Sequence, residues 1–379
     1  MECKFLSNGI DILYHDFLSP CCAWTPDSTW IQDHNIQKVD FVKWHQHKDL
    51  VTAREQLAQG QWPKYCQDCE TIESQGRQDS MRLNGASAYG AYGEDDITLE
   101  IRPGNVCNFA CQTCWPAAST RVDTFYKKAN IVNIEGDRVA NNFLDYKFLE
   151  PIAHRLKSII VLGGEPFYDP KCLEFLTWIK DNTTAELLMF TNGSVVDLDL
   201  LASFGRKVTL VFSMDAVGTP AEYIRFGTDW PVVWANYQKV KTLPNVTTRV
   251  NVTTSPYNYF YFPDVLNALL DDWPEVVSFG PTMEKIFNEC VVPTSLRPTI
   301  ISKLESIIPR LEQANIEFGQ KCNAVNLVKS IVNNLKEVAY DSTLHQEFVD
   351  FVTKMDTVKN INLVNHCPEM AGLLTVESS

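Results

Sequence analysis

The feature that most limits what this chain can be is the run Arg102-Pro-Gly-Asn-Val-Cys107-Asn-Phe-Ala-Cys111-Gln-Thr-Cys114-Trp115. It follows an apolar, β-rich run at Ile97–Arg102, so three thiols share one loop at the end of a strand. Soft thiolate ligands select iron–sulfur clusters or zinc, and a closed structural zinc site takes four protein ligands. Three thiolates fit a [4Fe–4S] cluster that keeps one iron without a protein ligand. A zinc knuckle borrowing a fourth ligand is the competing reading.

The chain has 12 cysteines, and those at 3, 21, 22, 66, 69, 107, 111 and 114 all fall within the first 114 of its 379 residues. Its start, Met-Glu-Cys-Lys-Phe-Leu, lacks a basic region followed by an apolar run, which makes the cytoplasm the expected compartment. Cysteines in that compartment serve metal or redox chemistry rather than a disulfide framework. A formal net charge of −14 and the absence of any Lys/Arg run argue against nucleic acid as a partner. No apolar stretch has the length of a membrane span. With 45% hydrophobic and 21% charged residues, the composition is that of a folded chain.

Strands are expected near Ile97–Arg102, Ser158–Leu162, Glu186–Phe190, Val208–Ser213, Thr247–Thr254 and Val276–Phe279. Helical spacing of apolar residues predicts helices at Ala117–Lys128, Phe143–Leu156, Lys171–Lys180, Pro231–Thr242 and Pro263–Asp271. Alternation of this kind is the pattern of parallel strands joined by crossover helices, an α/β fold. After about Met283 only helices are expected, around Ser295–Ala314, Ala324–Val338 and Thr343–Met355.

A second motif, Leu162-Gly163-Gly164-Glu165-Pro166, ends the second expected strand. Glycines there let the backbone approach a ligand, and a carboxylate beside them can accept from an ammonium. With Cys-x3-Cys-x2-Cys after the first strand and Gly-Gly-Glu-Pro after the second, the chain resembles the radical S-adenosylmethionine (SAM) superfamily. The resemblance implies a partial, TIM-like (β/α)6 barrel with its site at the C-terminal ends of the strands. It implies that Cys107, Cys111 and Cys114 hold a [4Fe–4S] cluster whose open iron chelates SAM, while Gly163, Gly164, Glu165 and Pro166 bind the SAM amino group. The reduced cluster of such enzymes cleaves SAM to methionine and a 5′-deoxyadenosyl radical, which takes a hydrogen atom from substrate. Ser213 and Asp215 are placed like residues contacting the ribose and methionine parts of SAM. Arg225 resembles an arginine that pairs with the SAM carboxylate, and Asn251 a polar contact near adenosine. Thr113 departs from the pattern, since an aromatic residue often precedes the third cysteine; its adenine contact is expected to run through the backbone.

Cys3, Pro20-Cys21-Cys22 and Tyr65-Cys66-Gln-Asp-Cys69, with Glu70, Glu73, Gly76, Ser80 and Arg82 following, resemble the twitch/SPASM type of auxiliary-cluster domain. Here it precedes the barrel, an arrangement found in phage-type twitch proteins, and Val352–Pro368 resembles their C-terminal ending. By this resemblance residues 1–94 form an auxiliary-cluster domain, 95–283 the core barrel and 284–379 a helical extension. Cys3, Cys21, Cys66 and Cys69 are the expected ligands of a second [4Fe–4S] cluster, with a four-cysteine zinc site as the alternative. Adjacent side chains of an extended segment point to opposite faces, so one of Cys21 and Cys22 is excluded, and Cys21 is the residue expected to ligate.

Cys172, Cys290, Cys322 and Cys367 are expected to be packed thiols. His45 and His47, two apart on a predicted helix, face different sides and do not form a metal pair. The aromatic run Tyr257–Phe262 is expected in the core, with Tyr257 and Asn258 near the mouth of the barrel. Together these readings imply an enzyme that modifies a peptide or protein by oxidation or crosslinking, fed by an electron donor such as flavodoxin or ferredoxin. A small-molecule dehydrogenase is the nearer alternative, and a non-catalytic zinc-binding adaptor is the alternative from another class.

Overall fold

The computed structural model describes residues 1–12, 17–76, 80–83, 93, 95–131, 144–270, 273–282 and 284–377. The expected termini Phe143, Asp271 and Met283 and the boundary residue 94 lie outside the described residues.

The described strands form one sheet: β1 Gly9–Ile12, β2 Leu18–Ser19, β3 Ile97–Ile101, β4 Leu156–Val161, β5 Glu186–Thr191, β6 Val208–Ser213, β7 Val246–Thr254 and β8 Val276–Pro281. The order is β2-β1-β3-β4-β5-β6-β7-β8, parallel except for the β1–β2 pair. All six expected strands are present, in sequence order. Burial explains why they could be read: β6 is buried along Val208–Phe212, and β4 along Ile159–Val161, as parallel strands covered on both faces are. Strand β7 instead alternates, with Thr248, Val250, Val252 and Thr254 buried.

Strands β1 and β2 extend the sheet into the N-terminal segment, which sequence periodicity did not reveal. Gly9-Ile-Asp-Ile is short and carries a charge, yet it is buried throughout and pairs with β3 from Gly9↔Thr98 to Ile12↔Ile101. Asp11 is tolerated there because Arg102 Nη1 donates to its Oδ1 at 2.9 Å and Ser19 Oγ to its Oδ2 at 3.4 Å. Burial, with Glu100 nearby, still raises its carboxyl to about 7.

Crossover helices open on side-chain caps, as Ser119 accepts from the Val122 amide, Asp169 from Lys171 and Asp229 from Val232. The segment expected to be helical at Phe143–Leu156 is a 3-10 helix over Tyr146–Arg155. Pro151 within it lacks an amide proton and cannot sustain an α-helical ladder. Short helices at Leu198–Ser203 and Gly218–Ile224 carry too few turns to show a period. The C-terminal helices run over Arg297–Gln313, Phe318–Glu337 and Ser342–Lys359. The last ends at Asn360 in the left-handed conformation, φ 54°. Tyr257, Tyr259, Tyr261 and Phe262 are buried in the core. Asn258 is also buried, donating to the carbonyls of Asp215 and Thr253.

Candidate functional site at the strand ends

The loop after β3 is tied down on every side. Ala110 and Gln112 amides donate to the carbonyls of Phe226 and Ile224 at 2.8 and 2.7 Å, which lays the loop against the segment carrying Arg225. Ser119, the cap of helix Thr120–Lys128, also donates its hydroxyl to the Phe109 carbonyl at 2.8 Å. From the C-terminal helix, buried Lys359 sends Nζ to the Ala110 carbonyl and to Gln112 Oε1, both at 2.9 Å.

The turn after β4 locks onto the same loop. Gly163 and Gly164 have φ of 82° and 57°, a region that favours glycine. A Cβ on Gly164 would stand 2.5 Å from the Val106 carbonyl oxygen, the residue before Cys107. The Glu165 amide donates to that oxygen at 2.8 Å, and the Gly164 amide to Ala118 at 3.2 Å.

Between these segments lies a cavity of about 210 Å3. Cys107, Cys114, Gly163, Gly164, Ser213 and Arg225 line it, contributed by the ends of β3, β4 and β6 and by the turn at 225. Cys111 is buried, 9% exposed, within electrostatic reach of Cys107 and Cys114. Burial raises all three thiols, Cys107 to about 12, and the other cysteines add to the rise at Cys107 and Cys114. As thiols they are therefore protonated at neutral pH, and a cationic centre is what draws the protons off. Hydrogen-bond donors already face one of them: the Phe109 amide is 3.4 Å and Asn192 Nδ2 3.9 Å from Cys107 Sγ.

Arg225 supplies the positive charge. Burial pulls its guanidinium down, but Cys111 and Asp215 more than offset this and hold it charged. Nη1 donates to Asp215 Oδ2 at 2.8 Å, whereas Nε is buried with no hydrogen-bond partner. A charged guanidinium on a cavity wall fits an anionic group of a ligand.

The remaining expected residues are placed differently. The Glu165 carboxylate is 1% exposed and is not part of the cavity lining. It accepts from Thr191 Oγ1 at 2.8 Å, from the Asn192 amide at 2.6 Å and from the Phe167 amide at 3.4 Å. Burial lifts it to about 7. Pro166 is buried behind it. Asp215, 1% exposed, is occupied by Arg225 and by the Thr253 amide at 2.7 Å, so it orients the arginine rather than facing the cavity. Asn251 accepts from Ser278 Oγ at 2.9 Å on β8, away from the lining, and Thr113 is half-buried outside it.

Sequence reasoning missed Phe190, Thr191 and Asn192, which line the cavity at the end of β5, and Arg102 at the end of β3. The signal was available in Phe190-Thr-Asn-Gly193, a polar pair and a glycine at a strand end like the others. Nothing local in the sequence marks Lys359.

A second cavity, in the N-terminal segment, is lined by Cys3, Cys21, Cys66 and Cys69. Cys69 is buried and the other three half-buried. Burial and then the neighbouring Cys3 and Cys69 push Cys66 up to about 12. Cys22 is exposed and not part of this lining; it stands near Glu100, Asp11 and Arg102 instead. Arg82 reaches the same cavity from Ser80-Met-Arg, held by the Glu73 carboxylate and by the Glu2 carbonyl at 2.9 Å. Glu73 in turn accepts from Ser80 Oγ at 2.6 Å. Cys172 and Cys367 are buried, whereas Cys290 and Cys322 are half-buried.

No protein-family model matches the sequence. No curated protein matches it either. Solved structures similar to it include anSMEcpe with bound AdoMet, 18% identical with a TM-score of 0.39 over 57% of this chain and 58% of that one. Streptococcus suis SuiB bound to S-adenosylmethionine is 15% identical, with a TM-score of 0.37 over 65% of this chain and 51% of that one. Coproporphyrinogen III oxidase (HemN) from Escherichia coli, described as a radical SAM enzyme, is 13% identical, with a TM-score of 0.32 over 64% and 52%. The chain thus spans 58%, 51% and 52% of the length of these three proteins. At TM-scores this low the likeness carries no weight, and the functional reading rests on the residues of the two cavities. Among the described residues no helix is long and apolar enough to cross a membrane.

Proposed function

We propose that the chain is a radical SAM enzyme that oxidises or crosslinks a peptide or protein substrate. The observation that carries this reading is one cavity lined by Cys107 and Cys114, the Gly163-Gly164 turn, Ser213 and an arginine with an unpartnered buried Nε. Cys107, Cys111 and Cys114 are the residues to hold a [4Fe–4S] cluster, and the donor set fits it. Among the described residues no three cysteine sulfurs lie mutually within 4.8 Å, the group that does being His34, His47 and Asp49. Four thiolates on one zinc at ~2.3 Å would sit about 3.8 Å apart. A cluster of four irons is wider and accepts the larger spacing.

When bound, the cluster and SAM supply one-electron cleavage of the sulfonium and a 5′-deoxyadenosyl radical able to take a hydrogen atom from substrate. The chain's own residues do the positioning. Arg225, aimed by Asp215, would pair its guanidinium with the SAM carboxylate, and the Gly163-Gly164 turn, which keeps side chains off this wall of the cavity, would leave room for its ammonium. Glu165 braces the end of β5 against that turn, and Asn192 and the Phe109 amide donate towards Cys107. Lys359, Ser119 and the 224–226 segment fix the loop in place.

Cys3, Cys21, Cys66 and Cys69 belong in the same proposal as ligands of an auxiliary cluster, with Arg82 as the adjoining positive charge. Such a cluster can accept the electron a substrate releases on oxidation, which is why a peptide or protein substrate is favoured over a small molecule. Flavodoxin or ferredoxin is the proposed class of donor, and residues 1–94, 95–283 and 284–379 the proposed division of labour.

The test is anaerobic reconstitution with iron and sulfide, followed by assay of 5′-deoxyadenosine from SAM under reduction. The Cys107/Cys111/Cys114→Ala variant should keep about half the iron and form no 5′-deoxyadenosine. A wild-type protein that binds zinc in place of iron and leaves SAM intact would sink the proposal and leave the zinc-binding adaptor.

A further inference from the structure

We propose that His34, His47 and Asp49 form a binding site for a divalent transition-metal ion of the zinc class. One ligand atom from each lies within 4.8 Å of the others. His34 caps the C-terminus of helix Ser28–Asp33, while His47 caps the N-terminus of helix Lys48–Ala58 and Asp49 sits in its first turn. His45, on the preceding 3-10 helix, is not a member; the partner that spacing alone could not supply is His34.

The His34 ring is the decisive group. It is 3% exposed, stacked on Trp30 at 3.6 Å between centroids and edge-on to Trp44 at 6.0 Å. Its Nδ1 is 2.9 Å from the Trp30 carbonyl oxygen, which can only accept, so Nδ1 carries the proton. That leaves Nε2 buried with no hydrogen bond, 3.2 Å from Asp49 Oδ2. In the neutral ring a nitrogen lone pair then faces a carboxylate oxygen, an arrangement made favourable by a cation between them or by a second ring proton.

A second proton on His34 would satisfy that one contact, whereas an ion would also engage His47, whose ring faces the same carboxylate. His47 Nδ1 is 3.7 Å from the same Asp49 oxygen and accepts the helix-capping Asp49 amide at 3.4 Å, a long bond that an ion would replace. The His34 and His47 rings themselves meet edge to face, 4.7 Å between centroids. Separations of 3.2 and 3.7 Å bracket the ~3.3 Å edge of a tetrahedron whose ligands stand about 2.0–2.1 Å from zinc.

Two imidazoles and one carboxylate suit zinc, nickel or copper rather than magnesium or calcium. The His34 Nδ1–H bond to a carbonyl is the outer contact that orients metal-bound histidines. The carboxylate is 41% exposed and the His47 side chain 31%, so a fourth position remains open to water. An ion here would tie together two helices whose surroundings wall the four-cysteine cavity. Trp24 and Leu57 line that cavity, and Trp24 packs on Trp30 at 4.9 Å.

The experiment is titration calorimetry of Zn2+ into the full-length, anaerobically purified protein, with His47→Ala and Asp49→Asn alongside. All three carry the same cysteines, so the difference between them isolates this site. Each variant, folded by circular dichroism, should take up one zinc equivalent fewer than wild type. Zinc should raise the wild-type Tm by more than it raises that of either variant. Equal uptake by all three proteins, or equal Tm shifts, overturns the proposal, whatever the outcome of the SAM assay.

Discussion

Two glycines with nearly the same backbone allow the tightest test of the site's construction. Gly164 has φ +57° and Gly205 φ +60°, but a Cβ at Gly205 meets nothing within 4 Å. At Gly164 the same atom lies 2.5 Å from the Val106 carbonyl oxygen and 3.1 Å from the Val106 nitrogen. Placing alanine at either site costs about 1–2 kcal/mol of left-handed strain, less roughly 0.4–1 kcal/mol regained from the stiffer unfolded chain. Gly205→Ala should therefore destabilise by about 1 kcal/mol.

Gly164→Ala adds a collision that backbone must relieve. Ordinary contact begins at 3.4 Å, so the Val106 oxygen has to retreat by 3.4 − 2.5 = 0.9 Å. It accepts the Glu165 amide at 2.8 Å, and a retreat of that size breaks the bond. Overpacking of this kind costs roughly 1–3 kcal/mol, which brings the total to about 3 kcal/mol. Urea unfolding followed by tryptophan fluorescence reads both variants, and equilibrium SAM binding reads the displaced Cys107 loop. Variants that unfold within ~0.5 kcal/mol of each other, or a Gly164→Ala protein with wild-type SAM affinity, would refute the reasoning.

Cys21→Ser should lower iron content while Cys22→Ser leaves it at the wild-type level, checked by iron and acid-labile sulfide assay; equal losses would place the exposed residue among the ligands. Asp215→Asn should raise KM for SAM more than it lowers kcat, because on the proposed function it frees the arginine that would pair with the ground-state carboxylate; a fall in kcat alone would argue against that role. The Glu165 carboxyl titrates at about 7 in the folded chain and ~4.3 unfolded, so the native state binds more protons between those values and stability falls as pH rises through them. Wild type should lose on the order of 3 kcal/mol from pH 4.5 to 7 relative to Glu165→Gln in urea titrations, and parallel curves would contradict it. Lys359→Met leaves the Ala110 carbonyl and Gln112 Oε1 without their donor, so it should destabilise by about 2 kcal/mol and shift the redox midpoint of the reconstituted protein; an unchanged midpoint and stability would remove Lys359 from the loop's support.

What could be read from the sequence separates cleanly by the range of the forces involved. Strands β3 to β8 were legible because each is a local run of apolar residues buried between layers, and the cysteine and glycine motifs because their spacing is itself local. Strand β1 was not, since a four-residue strand holding Asp11 becomes favourable only when Arg102, 91 residues away, supplies the counter-charge. Asp215 and Glu165 stand at strand ends, where the sequence leads one to expect a ligand, and the fold gives them Arg225 and the Asn192 amide as partners. A sequence records that a carboxylate stands at a strand end, and only the fold decides whether a ligand or a neighbouring arginine or amide reaches it first. Lys359 and His34 extend the same point, because each acquires its role from a side chain brought in from another element, Gln112 for the one and Asp49 for the other. Within this protein, then, the residues that line the cavity are written largely in short motifs, while those that aim and brace them are set by tertiary contacts. Substitutions at the second kind should alter affinity and stability before they alter chemistry.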